Sequence, residues 1–234
     1  MYHSITIGTK NTWDDWHLIP KSRPLVNPPS VKTNVVDIPG GDGALDLSTA
    51  LSGRPIYKNR TGSWEFIAEN GFKEWADLFS EIMTYLHGQK LKAVLEDDPD
   101  YYYEGRFSVN EWKSDPYYSL IVIGYDVGPY KKENDGLDEN WLWDPFNFET
   151  DIVRNYRNLP VDGTLTMIVI GSNMPGVPTI ITSDSGISVT FGGETYRLAK
   201  GINVIDDIVL KSGENELTFS GNGIVTVEYN GGTL

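Results

Sequence analysis

The 234-residue chain has no cysteine and only three histidines. The first absence excludes disulfides, thiolate metal sites and cysteine nucleophiles. His3, His17 and His87 lie far apart in the sequence, and none belongs to an HxxxH zinc-binding pair. There is no GxSxG nucleophile elbow and no GxxxxGKS/T phosphate loop. No apolar run approaches the ~20 residues of a membrane helix. The opening "MYHSITIGTKNTW" lacks a basic segment followed by an apolar one, so no secretory leader is expected. Positive charge is also scarce, with 19 Lys and Arg against 33 Asp and Glu, a net charge of −14. Divided at residue 130, the balance is 12 − 18 = −6 and then 7 − 15 = −8, so the acidity is not confined to a tail. Binding nucleic acid by phosphate neutralisation needs clustered Lys and Arg, and such a chain is not expected to do it.

What the chain does have is aromatic side chains and turn residues. Seven Trp and thirteen Tyr can each bury about 150–250 Å², enough for a substantial core in one or two domains. Twenty-four Gly and thirteen Pro point to many turns and therefore many short strands. Near the start, Ile5 and Ile7 alternate with polar residues, and "PGGDG" at 39–43 reads as a turn joining two extended pieces. One helix stands out. In "NGFKEWADLFSEIMTYLHG", Trp75, Leu78, Phe79, Ile82 and Leu86 fall on a single apolar stripe, and Gly88 is placed to end the helix. Strands are expected on both sides of the acidic turn that follows, and "DPYYSLIVIGYDV" reads as another.

The polar stretch "GPYKKENDGLDEN" at 128–140 is the best linker, and domains are expected at 1–130 and 131–234. "WLWDPFNFETDIVRNYRN" beyond it reads as extended. Residues 163–234 read as short antiparallel strands at roughly 8–12-residue spacing. Ile187, Val189 and Phe191 alternate with polar residues, as do Leu217 and Phe219, and Val225, Val227 and Tyr229. That pattern predicts a small β-sandwich.

The stretch most suggestive of chemistry is "EDDPDYYYEGRFSV" at 96–109. Four acids in five residues could hold a hard cation, but the spacing and the sixth-position glycine of an EF-hand are missing. A solvated hairpin turn is the simpler reading. In a strand, Tyr101 and Tyr103 share one face while Tyr102 joins Glu104 on the other. This suits a sheet covered on both sides; a sugar-stacking platform is the sharper alternative. "DIPGGDGALD" does not match a calcium loop either. No metal site, cofactor or catalytic residue is expected, and the chain is not read as an enzyme.

Several long stretches carry a resemblance: "NTWDDWHLIPKSRPLVNPP" at 11–29, "VDIPGGDGALDLS" at 36–48, "EIMTYLHGQKLKAVLEDDPDYYYEGRFSV" at 81–109, "WLWDPFNFETDIVR" at 141–154 and the ending from "GINVIDDIVLKSG" onward. Across nearly its whole length the chain resembles the distal tail protein (Dit) family of siphophages. The resemblance implies a mainly β protein: an α+β belt domain at 1–130, related to tail-tube proteins, and a galectin-like antiparallel β-sandwich at 131–234. It implies a structural protein of the virion tail tip, made in the host bacterial cytoplasm, six copies of which form the baseplate hub ring. Its partners would be the tail-tube protein, the tail-tip hub or tail-associated lysin, and receptor-binding proteins. DNA would pass through the ring without being specifically bound, and no membrane is involved. The rival function is a carbohydrate-binding module that recognises the host through the sandwich.

Within that frame Glu96, Asp97, Asp98 and Asp100 are candidates for an acidic turn. Four neighbouring carboxylates repel one another and resist joint burial. The turn would therefore line the DNA channel, meet a neighbouring subunit, or simply be solvated. Arg54, Lys58 and Arg60 are the candidate basic partners across a subunit boundary.

Overall fold

The computed structural model describes residues 2–69, 73–114, 119–134 and 156–234. They fall into two compact units, 2–134 and 156–233. The linker stretch at 135–140 and the aromatic stretch at 141–155 lie outside the described residues.

The first unit is an antiparallel sheet with one helix. Its strands are β1 (Ile5–Ile7), β2 (Lys10–Asn11), β3 (Leu18–Pro20), β4 (Val35–Asp37), β5 (Ala44–Asp46), β6 (Arg60–Ala68), β7 (Lys90–Leu95), β8 (Asp98–Ser114), β9 (Ser119–Val127) and β10 (Lys131–Glu133). Helix α1 (Trp75–Leu86) is the only α-helix among the described residues. The main sheet runs β2-β1-β7-β8-β9-β6-β3, with β10 alongside β8, and β4 and β5 form a separate hairpin.

The inside–outside alternation decides this arrangement. On β8 and β9, Tyr103, Phe107, Val109, Ile121, Ile123 and Tyr125 point into one core with Trp64 and Phe66 of β6. The helix seals that face, burying Leu78, Ile82 and Leu86, each worth about 1.5–3 kcal/mol. Trp75 and Phe79, the outer members of the predicted stripe, are only partly buried. The helix ends where expected: His87 leaves helical geometry, and Gly88 takes the left-handed conformation at φ 76°. Its N–H then donates to the Phe107 carbonyl at 2.7 Å, tying the helix end to β8. Trp16 is fully buried and donates its indole N–H to Glu81 on α1 at 3.3 Å.

The second unit is a six-stranded antiparallel sheet built around two long strands. Its members are β11 (Leu159–Gly171), β12 (Thr179–Thr182), β13 (Ser188–Phe191), β14 (Glu194–Arg197), β15 (Gly201–Val204) and β16 (Gly213–Glu228). Strand β16 pairs with β11 along one edge. Along its other edge it pairs first with β13 and then with β12. The sequence pattern predicts separate short strands at 217–220 and 225–229; the structure joins them into one strand bent at Gly221-Asn222-Gly223.

Both glycines at the bend have positive φ, 130° and 150°. Gly163 of β11 sits directly opposite Gly221, so both strands turn at the same level. The inward residues keep their phase through the bend. Leu217 and Phe219 on one side, and Val225 and Val227 on the other, enter a single core with Val169, Ile180 and Val189. A sheet folded over on itself in this way forms a sandwich whose corner is a strand that passes between the two layers. Bent strands hide their length from a reading based on turn residues, because glycine marks a corner as readily as a loop.

At Gly221 a Cβ would stand 2.6 Å from the Gly186 carbonyl oxygen, a backbone atom, and the φ itself disfavours a side chain. Gly186 has nothing within 4 Å of its Cβ position and no positive φ. Gly221→Ala is expected to lower stability by more than about 1 kcal/mol, and Gly186→Ala to stay within about 0.5 kcal/mol of the parent. Denaturant unfolding followed by tyrosine fluorescence checks both.

Candidate functional site

The acidic stretch forms a tight hairpin. Leu95 pairs with Asp98, which leaves Glu96 and Asp97 as a two-residue turn. Neither adopts a positive φ. Turns of that hand splay the strands they join, and the β7–β8 register shifts immediately afterwards, between Ala93 and Leu95.

The four acids do not share one fate. Glu96 accepts hydrogen bonds from the Ser4 N–H at 2.7 Å and the Ser4 hydroxyl at 3.1 Å. Asp97, with a side chain only 13% exposed, sits 2.9 Å from His3 Nδ1 and accepts from Arg23 Nε at 2.9 Å. Burial alone would raise its pKa, but the hydrogen bonds from His3 and Arg23 outweigh it and hold the carboxyl below its usual range. Asp98 pairs with Lys131 at 2.6 Å. Asp100 is exposed, and its main-chain carbonyl accepts from Asn134 N–H at 2.7 Å. Mutual repulsion is relieved inside the chain, by the N-terminal segment on one side and β10 on the other. Sequence reasoning missed His3, Ser4, Arg23 and Lys131 because all four are remote from the turn along the chain.

The basic candidates also separate. Arg54 is exposed and reaches the Tyr130 hydroxyl at 3.3 Å, and Lys58 is exposed. Arg60 is a correction to the sequence reading. It is 5% exposed, donates to the Pro129 carbonyl at 2.8 Å and the Asn27 carbonyl at 3.3 Å, and lies 5.5 Å from the Tyr103 ring centre. Its Nη2 is buried with no hydrogen-bond partner among the described residues, so the side chain sits inside the unit rather than on its surface. Its position on the inward phase of β6 put it there.

Tyr102 and Tyr103 take opposite faces of β8. Tyr103 enters the core, where burial raises its pKa. Tyr102 lies on the opposite face and is nevertheless 6% exposed, beneath Lys92 at 4.4 Å and Lys132 at 5.9 Å. Long cationic side chains cover aromatic surface while keeping their heads wet. Glu104 lies on the same face between Lys132, at 2.7 Å, and Lys90, at 3.0 Å. Hydrogen bonds from Lys132 and Lys90 lower its pKa to about 2.

The most exposed apolar surface lies on an arm between β3 and β6. Its base is anchored: Trp64 Nε1 donates to the Leu25 carbonyl at 2.8 Å, and the Tyr125 hydroxyl accepts from Asn27 N–H at 3.0 Å. Lys32 N–H and Lys58 N–H bond across the arm to Ile56 and Ser30. Beyond that, the β4–β5 hairpin has no buried residue. Val36 and Leu45 face each other across it and are 46% and 50% exposed, and Leu51 is fully exposed. Among the described residues, half of the exposed large hydrophobic ones, nine of eighteen, fall between Leu25 and Ile56. A lone two-stranded hairpin is marginal in water, and an apolar patch of this kind marks an interaction surface. Among the described residues, no group of three or more His, Asp or Glu is placed to hold a metal ion.

Replacing Glu104 by Gln tests the cation cage. A carboxylate whose pKa falls from 4.5 to about 2 on folding contributes stability above the unfolded value and loses it as the pH falls through the folded one. The variant is expected to be less stable than the parent at pH 7, with the difference closing between about pH 4.5 and pH 2. Urea unfolding across that range measures it.

No protein-family model matches the chain, and no curated protein matches it. The fold does have a counterpart among solved structures. The crystal structure of the Dit protein of phage SPP1, described as a paradigm of the hub adsorption apparatus in phages infecting Gram-positive bacteria, is similar over 100% of both chains. The TM-score is 0.62 at 13% identity. Identity that low speaks to architecture, and the architecture agrees from end to end: the chain has the fold of a distal tail protein.

Proposed function

We propose that the chain is a structural subunit of a phage tail tip. Six copies close a ring that joins the tail tube to the tail-tip hub and adsorption apparatus, and DNA passes through the bore. The observation that carries this reading is the likeness to SPP1 Dit over the whole of both chains. The arm supports it, because a hairpin with its apolar side chains uncovered is a surface awaiting another chain. Residues 2–134 act as the ring-forming belt. Residues 156–234 act as the galectin-like platform on which neighbouring tail proteins, receptor-binding proteins among them, dock. The work is mechanical and involves no catalysis.

The second unit fits protein docking better than sugar binding. Stacking a sugar needs exposed aromatic rings. The described part of this unit has no Trp, and Phe191, Phe219, Tyr196 and Tyr229 are buried in or packed against its core. Its most exposed large hydrophobic side chains are the aliphatic Ile202, Val204, Ile168 and Ile224.

Negative-stain microscopy and light scattering of the full chain are expected to show six-membered rings or stacked pairs of them. A monomer within an intact tail tip would refute the proposal. A titration with host-wall glycans is expected to give no saturable binding below millimolar concentration, a limit of about −4 kcal/mol.

A further inference from the structure

The arm and the outer face of the main sheet carry opposite charge. Between Lys32 and Arg54 the arm has no basic residue and three acids, Asp37, Asp42 and Asp46, all exposed. The sheet face turned away from α1 gathers cations in a chain that is otherwise strongly acidic. Lys90 and Arg106 stand directly opposite each other on β7 and β8, and Lys92 and Lys132 flank them around Tyr102 and Glu104. Like charges directly opposite are unfavourable in a sheet. The counter-charges on this patch are Glu104, shared by Lys90 and Lys132, and Asp126, next to Arg106 and bonded to Asn59. Four cations thus meet two carboxylates.

The positions of the two features matter as much as their signs. The arm leaves the sheet between β3 and β6, which form one edge in the order β2-β1-β7-β8-β9-β6-β3. Lys90 and Lys92 lie on β7, four strands from β3 in that order, Arg106 on the central β8, and Lys132 on β10, which pairs with β8 on the side that β9 occupies. Donor and acceptor are different surfaces of one chain, as a head-to-tail contact requires, and such contacts close into rings when the rotation between copies does.

We infer that the acidic arm of one copy docks on the Lys90–Lys92–Arg106–Lys132 face of the next copy. The inference rests on the ring reading and names the surfaces that make the ring. The arm's carboxylates approach the ammonium and guanidinium heads, and its apolar side chains cover the methylene stems of the lysines. Electrostatics sets the register and the apolar contact supplies the affinity.

The test uses the full chain in sedimentation velocity over a range of protein concentration. Asp37→Lys with Asp46→Lys is expected to weaken association at least tenfold. Lys90→Glu with Lys92→Glu is expected to do the same, and a chain carrying all four changes to regain most of it. Circular dichroism establishes that each variant is folded. Because the chain has no cysteine, a second measurement is independent of those variants. Asp42→Cys and Lys92→Cys chains, mixed and oxidised, should form a disulfide-linked pair, whereas Ser185→Cys in place of Lys92→Cys should not. An unmodified chain that assembles normally while the reversals and the cross-link have no effect overturns the docking surface and leaves the ring intact. An unmodified chain that never assembles removes the ring reading, and the docking with it.

Discussion

The first unit depends on one constraint: a single helix has a single apolar stripe, and so it can seal only one face of the sheet. Leu78, Ile82 and Leu86 close the core over β8, β9 and β6. The other face must then be satisfied by charge and by the stems of long side chains. Tyr102 under Lys92, and Glu104 between Lys90 and Lys132, are how this sequence does it. A polar sheet face is inexpensive in water, and it stays available to a partner. The same constraint explains the arm. Residues between β3 and β6 emerge where the helix does not reach, and nothing in the described part of this unit covers their apolar side chains.

Charge in this protein is arranged locally although the total is lopsided. A net charge of −14 suggests a uniformly acidic surface. The structure instead groups its cations around particular carboxylates: Lys131 at Asp98, Arg23 and His3 at Asp97, Lys10 at Asp15, Lys21 at Glu65. The exposed Lys21–Glu65 pair is worth about 0–1 kcal/mol. The partly buried pairs fix geometry: the Asp97 contacts tie the N-terminal segment to the β7–β8 turn.

The second unit solves a different problem. Two layers must share a core, yet the long strands β11 and β16 run through both. Gly163, Gly221 and Gly223 allow the corner, and unbroken alternation on either side of it keeps Leu217, Phe219, Val225 and Val227 facing inward. The hydrogen-bonded ladder continues through the bend, and no loop has to be closed to join the layers.

The sequence alone sets the helix and its end, because a 3.6-residue stripe and a glycine at 88 are local signals. It sets the alternation in the second half for the same reason, and the faces of Tyr102, Tyr103 and Glu104 by the two-residue period of a strand. What the charges do is settled by tertiary contacts. Arg60 looks like a surface cation in "YKNRTG", yet strand phase turns it inward, towards Pro129, Asn27 and Tyr103. The acidic turn looks like unrelieved repulsion, yet its partners arrive from residues 3, 4, 23 and 131. Hydrophobic periodicity is written along the chain, whereas electrostatic pairing depends on which distant segments the fold brings within a few ångströms.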